Sequence, residues 1–271
     1  MIRDITIGQH FPGNSLVHRL DPRMKIILTM GYIVLLFLAA NPGGLVLATV
    51  LLGILYRVAK IPLKLIVKSL KPILPIILFT VVLNLFFITG QGSPLFEMGF
   101  IKVYIEGVRY AVLMGVRIVL LIAGTSLLTY TTSPISLTDA IERLLSPLAK
   151  LHCPVHELAM VMTIALRFIP TLIEETDKIM NAQKARGAQL DSGTLQQRMK
   201  AMVPILIPLF VSAFRRADEL AMAMECRCYR GGEGRTRLKQ LRLTSTDWAS
   251  FGVCMVIFAG IWATNLLFTG L

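Results

Sequence analysis

The chain has 271 residues, 55% of them hydrophobic and only 16% charged, with a mean hydropathy of +0.67. That balance excludes a soluble globular domain and fits an all-α polytopic membrane protein. The formal net charge of +12 is no sign of nucleic-acid binding: the basic residues gather in alternate loops, where membrane topology and an anionic leaflet account for them.

The first 25 residues are polar and turn-prone, with Gly13-Asn14-Ser15 followed by His18-Arg19-Leu20-Asp21-Pro22-Arg23. No cleavable leader is expected there. An apolar run over 26–40 predicts a first span. A second, over 45–56, forms a hairpin with it through Asn41-Pro42-Gly43-Gly44, and can run past Arg57 because an arginine stem snorkels. The loop 57–71 carries Arg57, Lys60, Lys64, Lys68 and Lys71 among Ile61, Leu65, Ile66 and Leu70, the pattern of a segment lying in the membrane interface. Spans three and four are expected over 72–89 and 111–130, and a fifth over 249–268. Arg117 falls inside the fourth span; it either faces the bundle or snorkels to the outer interface.

Residues 133–247 hold 16 of the 28 basic residues and no clear crossing segment. Three amphipathic helices are predicted here. The first begins after Ser133-Pro134, with Ser136 as its cap. The second covers about 155–185, with a proline bend at Pro170. The third covers about 195–229, with Pro204 and Pro208 in its first half. Three regions follow: an N-terminal bundle of four spans (1–132), a coupling-helix region (133–247) and a C-terminal helix (248–271). The positive-inside rule places the N-terminus and 133–247 in the cytoplasm and the C-terminus outside.

The two long helices end alike. One closes Ala185-Arg186-Gly187 and the other Cys226-Arg227-Cys228, then Tyr229-Arg230-Gly231. A basic residue near a helix C-terminus complements the helix dipole. Two matching endings with small flanks say more: each guanidinium has room to grip another protein. Catalytic chemistry is not in evidence. No GxxxxGK[ST] loop for ATP, no Ser/His/Asp arrangement and no HExxH occurs, and no cofactor is expected. Gly231-Gly232-Glu233-Gly234 follows a helix, so it reads as a helix stop. His152-Cys153-Pro154-Val155-His156 matches no common zinc spacing and reads as a polar turn. The methionines at 160, 162, 199, 202, 222 and 224 read as an adaptable packing surface ahead of a soft-metal site.

These residues resemble the transmembrane T component of energy-coupling factor (ECF) transporters. The N-terminal motif, Leu166-Arg167-Phe168-Ile169-Pro170 with Ala185-Arg186-Gly187, and the Arg227 ending carry the resemblance over nearly the whole chain. It implies a non-catalytic scaffold in a bacterial or archaeal cell membrane. Two cytosolic ATPase subunits would dock on Ala185, Arg186, Gly187, Cys226, Arg227 and Cys228. One or more substrate-binding S components, for a vitamin or micronutrient, would rest on the long helices. The surface assigned to them comprises Leu158, Val161, Ile169, Ala213, Ala217, Leu220 and Met224. Cys-Arg-Cys departs from the family's Ala-Arg-Gly; with that glycine gone, the helix is expected to continue to Gly231. The alternatives are a self-contained secondary transporter, which would need interrupted helices and midplane polar groups, and a polytopic membrane enzyme, which would need clustered acids or histidines.

Overall fold

The computed structural model describes residues 11–39, 41–88, 96–98, 101–151, 154–188, 194–231, 241 and 243–268. His152, Cys153 and 232–240 lie outside them. The described chain is helical apart from a short antiparallel hairpin, β1 (Phe96–Met98) and β2 (Ile101–Val103), in which Glu97 pairs with Lys102. It divides into two compact units, 8–140 with 240–271, and 1–7 with 141–239.

The larger unit is a helix bundle. α1 (Leu16–Arg19) leads into α2 (Pro22–Leu38), α3 (Pro42–Ala59), α4 (Leu63–Leu70) and, after a 3-10 turn at Lys71–Ile73, α5 (Leu74–Phe87). α6 (Ile105–Thr131) and α10 (Ser245–Phe268) complete it. α3 therefore runs past Arg57 and stops where Lys60 adopts a left-handed φ of 55°. The core joins α2, α3, α6 and α10 through Tyr32, Leu36, Leu52, Tyr56, Ala123, Leu127, Phe258 and Ile261. Hydrocarbon offers backbone and hydroxyl groups no water, so polar atoms at this depth need protein partners. Tyr32 Oη donates to Leu120 O (3.3 Å), Tyr56 Oη to Ala123 O (2.8 Å) and Tyr130 Oη to Leu65 O (3.1 Å). Close approach is bought with glycine: Gly124 faces the Tyr32 ring with no room for a Cβ, and Gly107 and Gly115 bring α6 against α5.

Arg117 faces the bundle. Its Nη2 donates to Ala39 O at the C-terminal end of α2, and Nη1 meets Met114 Sδ at 3.7 Å. A cation at a helix C-terminus is favoured by the dipole.

The N-terminal segment closes the basic end of the bundle. Phe11 N donates to Tyr130 O (2.9 Å), and His18 bridges Ser15 Oγ and Phe11 O. Asp21 caps α2, accepting from Arg23 N (2.9 Å), and pairs with the Arg23 guanidinium through both carboxylate oxygens (3.1 and 2.8 Å). Burial alone would raise the Asp21 carboxyl; the hydrogen bonds from Arg23 outweigh it and hold the group below its ordinary range. Asp21 N in turn donates to Asp247 Oδ1 (2.8 Å) at the start of α10.

The second unit contains α8 (Val155–Ala185) and α9 (Leu195–Cys226). Between the bundle and α8 the chain runs through α7 (Pro134–Leu145), which continues as a 3-10 segment, Ser146–Leu151. Ser133, not Ser136, is the cap of α7: its Oγ accepts from Ser136 N (3.2 Å) and its carbonyl from Leu137 N (2.9 Å). Pro134 then occupies the first helical position, where its missing N–H costs nothing.

Among the described residues six helical stretches are long and apolar enough to cross a membrane: α3, 63–87 (α4 to α5), α6, α8, α9 and α10. By length and composition, then, 133–247 does hold such segments. The reason is uneven spacing: the first half of α8, 155–172, carries only Glu157 and Arg167, and α9 has no charged residue between Lys200 and Arg215. α2 has 17 residues. At about 1.5 Å per residue it extends roughly 26 Å, slightly under the ~30 Å hydrocarbon core.

Candidate functional site

α8 and α9 lie antiparallel. Arg216 Nη2 donates to Glu175 Oε2 (2.8 Å), Gln183 Nε2 donates to Pro204 O (3.3 Å), and Met160 and Ile164 share a cavity of about 600 Å³ with Leu220, Met224 and Arg227. Gln183–Pro204 joins the late part of α8 to the early part of α9, Met160 and Leu220 join early to late, and Glu175–Arg216 falls between them, the order of an antiparallel pair. The ion pair is partly solvated, so it sets register more than it adds stability.

Both helices end in the same hydrogen-bonded turn. At the end of α8, Arg186 is the C-cap, Gly187 takes φ 86°, Gly187 N donates to Lys184 O (3.0 Å) and Ala188 N to Gln183 O (3.0 Å). At the end of α9, Arg227 is the C-cap, Cys228 takes φ 54°, Cys228 N donates to Glu225 O (2.9 Å) and Tyr229 N to Met224 O (3.0 Å). These paired bonds define the Schellman motif, which satisfies carbonyls a helix end would otherwise leave bare. The expectation that α9 continues to Gly231 is corrected: it stops at Cys226, because the two capping bonds form although the left-handed position is held by cysteine. Ala185, Arg186, Gly187, Cys226, Arg227 and Cys228 are all exposed. Arg230, also exposed, lines the cavity beside Arg227 and gives this ending a second guanidinium.

Since the helices are antiparallel, the two endings lie at opposite ends of the pair. Arg227 shares the cavity with Met160, and Arg186 lies 26 residues further along α8. At about 1.5 Å per residue the separation is roughly 40 Å.

The residues assigned to a second surface are not equivalent. Leu158, Val161 and Ala217 are exposed; Ile169 and Ala213 are half-buried; Leu220 and Met224 turn into the cavity against α8. A broader apolar stripe is exposed along α9, at Met199, Met202, Leu206, Phe210 and Phe214, and Ala217 continues it. The two phenylalanines were missed in the sequence although their three-to-four-residue spacing carries the signal. His156, in the first turn of α8, meets Glu142 Oε1 at 3.0 Å, which fastens α8 to the end of α7.

Residues 13–238 match the family model CbiQ, described as cobalt transport protein. Among curated relatives, the energy-coupling factor transporter transmembrane protein EcfT of Clostridium kluyveri is 56% identical over 267 residues, covering 97% of this chain and 99% of the relative. The protein of the same name from Ruminiclostridium cellulolyticum is 54% identical over 261 residues, covering 96% and 97%. That of Bacillus subtilis is 49% identical over 261 residues, covering 96% and 98%.

Proposed function

Because the chain belongs to the CbiQ family, among its EcfT-type energy-coupling factor T components, we propose that it is the membrane scaffold through which two cytosolic ATPase subunits drive a substrate-binding S component. The observation that carries this reading is the pair of matched helix endings. Each presents an exposed arginine on a hydrogen-bonded turn, and they point from opposite ends of one antiparallel pair. A single partner of ordinary size engages one of them; two copies of one partner engage both in the same way.

Each ATPase subunit receives one arginine as a desolvated ion pair or a set of charge-assisted hydrogen bonds. The exposed stripe of Phe210, Phe214 and Ala217 on α9, with Leu158 and Val161 of α8, receives the S component. ATP-driven closure of the ATPase pair moves the two endings and tilts the helices, and the S component with them. The chain itself performs no chemistry in this reading. The N-terminus and α8–α9 lie on the cytoplasmic side, in keeping with the basic residues there. The test is co-purification with the Arg186→Glu/Arg227→Glu double variant. The expected result is loss of the ATPase subunits and of uptake; wild-type assembly and uptake would overturn the proposal.

A further inference from the structure

The bundle contains a groove of about 450 Å³, within the size range of small-molecule sites. Its walls are aliphatic and aromatic, with Leu28, Leu52, Leu55, Leu127 and Phe258 among them. One end is polar. Lys25, only 6% exposed, reaches it together with Thr131, Thr246 and Ser250. Lys25 Nζ donates to Thr131 O (2.9 Å) and His18 O (3.2 Å). An ammonium has three protons, and the third has no partner among the described residues. The nearby carboxylate of Asp247, 3% exposed, is already engaged by the backbone N–H groups of Asp21 and Thr244. A buried donor left unmatched is costly, so the groove asks for an oxygen acceptor at this end.

The mouth indicates what reaches it. Ile54 and Val58 of α3 and Val253 of α10 line the groove and are exposed. Both helices are long and apolar enough to span a bilayer, so the opening faces hydrocarbon. Water is a poor filler for an apolar space of this kind. The occupant is therefore a bilayer constituent with oxygen at one end and a long apolar remainder, and its polar end lies level with the basic N-terminal segment. We propose that the groove is a phospholipid site. It holds one acyl chain of a phospholipid from the leaflet on the basic side, with an ester or phosphate oxygen accepting the third Lys25 proton. The chain runs along α2 from Lys25 toward Tyr32, about 10 Å at the helical rise. Asp21, Arg23, Lys25 and Asp247 sum to zero charge, so the site holds a lipid by hydrogen bond and apolar fit, with little preference among head groups.

The inference rests on the membrane-spanning reading of the bundle and not on the arginine contacts, so failure of the double arginine variant leaves it standing. Its test reconstitutes the full chain, alone and with its partners, in vesicles of phosphatidylglycerol carrying a photoreactive diazirine on one acyl chain. Labelled peptides are mapped by mass spectrometry. Labelling should concentrate on 51–58 and 249–258. It should fall about tenfold in Cys254→Trp, which fills the groove, while labelling of the exposed face of α5 stays unchanged. The same ratio should return when phosphatidylcholine replaces phosphatidylglycerol. Even labelling of all lipid-facing helices overturns the proposal, as does undiminished labelling of Cys254→Trp. Labelling that disappears when the partner proteins bind also overturns it, because a protein segment then owns the groove. Lys25→Met, which keeps the stem and removes the donor, should lower retention of co-purified phospholipid in mild detergent. Unchanged retention in that variant, with the fold intact by circular dichroism, refutes the role given to Lys25.

Discussion

Cys228 holds a backbone conformation, φ 54°, that an L-residue with a Cβ enters at a cost of about 1–2 kcal/mol, whereas glycine enters it freely. The corresponding position after α8 is Gly187 at φ 86°. Cys228→Gly should therefore stabilise the end of α9 by about 1 kcal/mol, partly offset by the added freedom of the unfolded chain. The expected readout is slower amide exchange at Cys228 and Tyr229, whose N–H groups make the two capping bonds; faster exchange would show that the cysteine is unstrained. The missing glycine predicts a helix that runs on, but that expectation counts only the backbone cost of one residue and omits the two carbonyls, of Glu225 and Met224, that the turn satisfies. The sequence alone does not orient Arg117 for a related reason: its acceptor, Ala39 O, is 78 residues away and is created only when α2 ends beside α6.

Elements were more legible than their ends. The three-to-four-residue apolar rhythm located α8 at Val155–Ala185 within a residue of expectation, and it located α10, whose apolar run has no competing period. What periodicity does not carry is pairing. The His18–Arg23 stretch read only as turn-prone, yet Asp21 N binds a carboxylate 226 residues later. The glycines that set helix distance were likewise silent until packed. Gly124→Leu should drive α6 off the Tyr32 ring, break the Tyr32 Oη bond to Leu120 O and destabilise the bundle by several kcal/mol, as overpacking and loss of a buried bond combine. A fluorescence-detected melting curve in detergent measures it; a melting point within a degree of wild type would contradict the packing described. Tyr32→Phe, which removes only the hydroxyl, should cost far less, near the ~0.6 kcal/mol average of such bonds in membranes. On α9, Ala217→Trp places an indole in the exposed stripe. It should weaken capture of the S component while the ATPase subunits stay bound; the opposite pattern of loss would reverse the two surfaces.

For the whole molecule, the legible part was charge. Basic residues in alternate loops and in 133–247 give an expected topology, whereas the scaffold reading comes from the two arginine endings, the missing ATP motif and the methionine- and alanine-rich helical surface. The antiparallel placement of α8 against α9 was not legible, since it depends on pairs such as Glu175–Arg216 that no local pattern announces. It also sharpens the arginine prediction. With the endings roughly 40 Å apart by helical rise, the single variants Arg186→Glu and Arg227→Glu should each release one ATPase contact and leave the other, so each should retain partial assembly where the double variant retains none. Quantitative co-purification of the ATPase subunits decides it; complete loss in either single variant would mean the two contacts act as one.

The prolines give that pair of helices its mechanics. Pro170, Pro204 and Pro208 each remove an i→i−4 hydrogen bond, and all fall well before the arginine end of their helix. From 171 to 185 and from 209 to 226 the backbone is uninterrupted helix, a stiff rod of roughly 20–27 Å in each case. A push delivered at either guanidinium is therefore not absorbed where it lands. It travels the length of its rod to the proline, where the helix bends most easily. In the proposed scaffold the two rods would act as crossed levers, each gripped at its tip and pivoting at its own proline. The Arg216–Glu175 pair joins one rod to the other and makes them turn together.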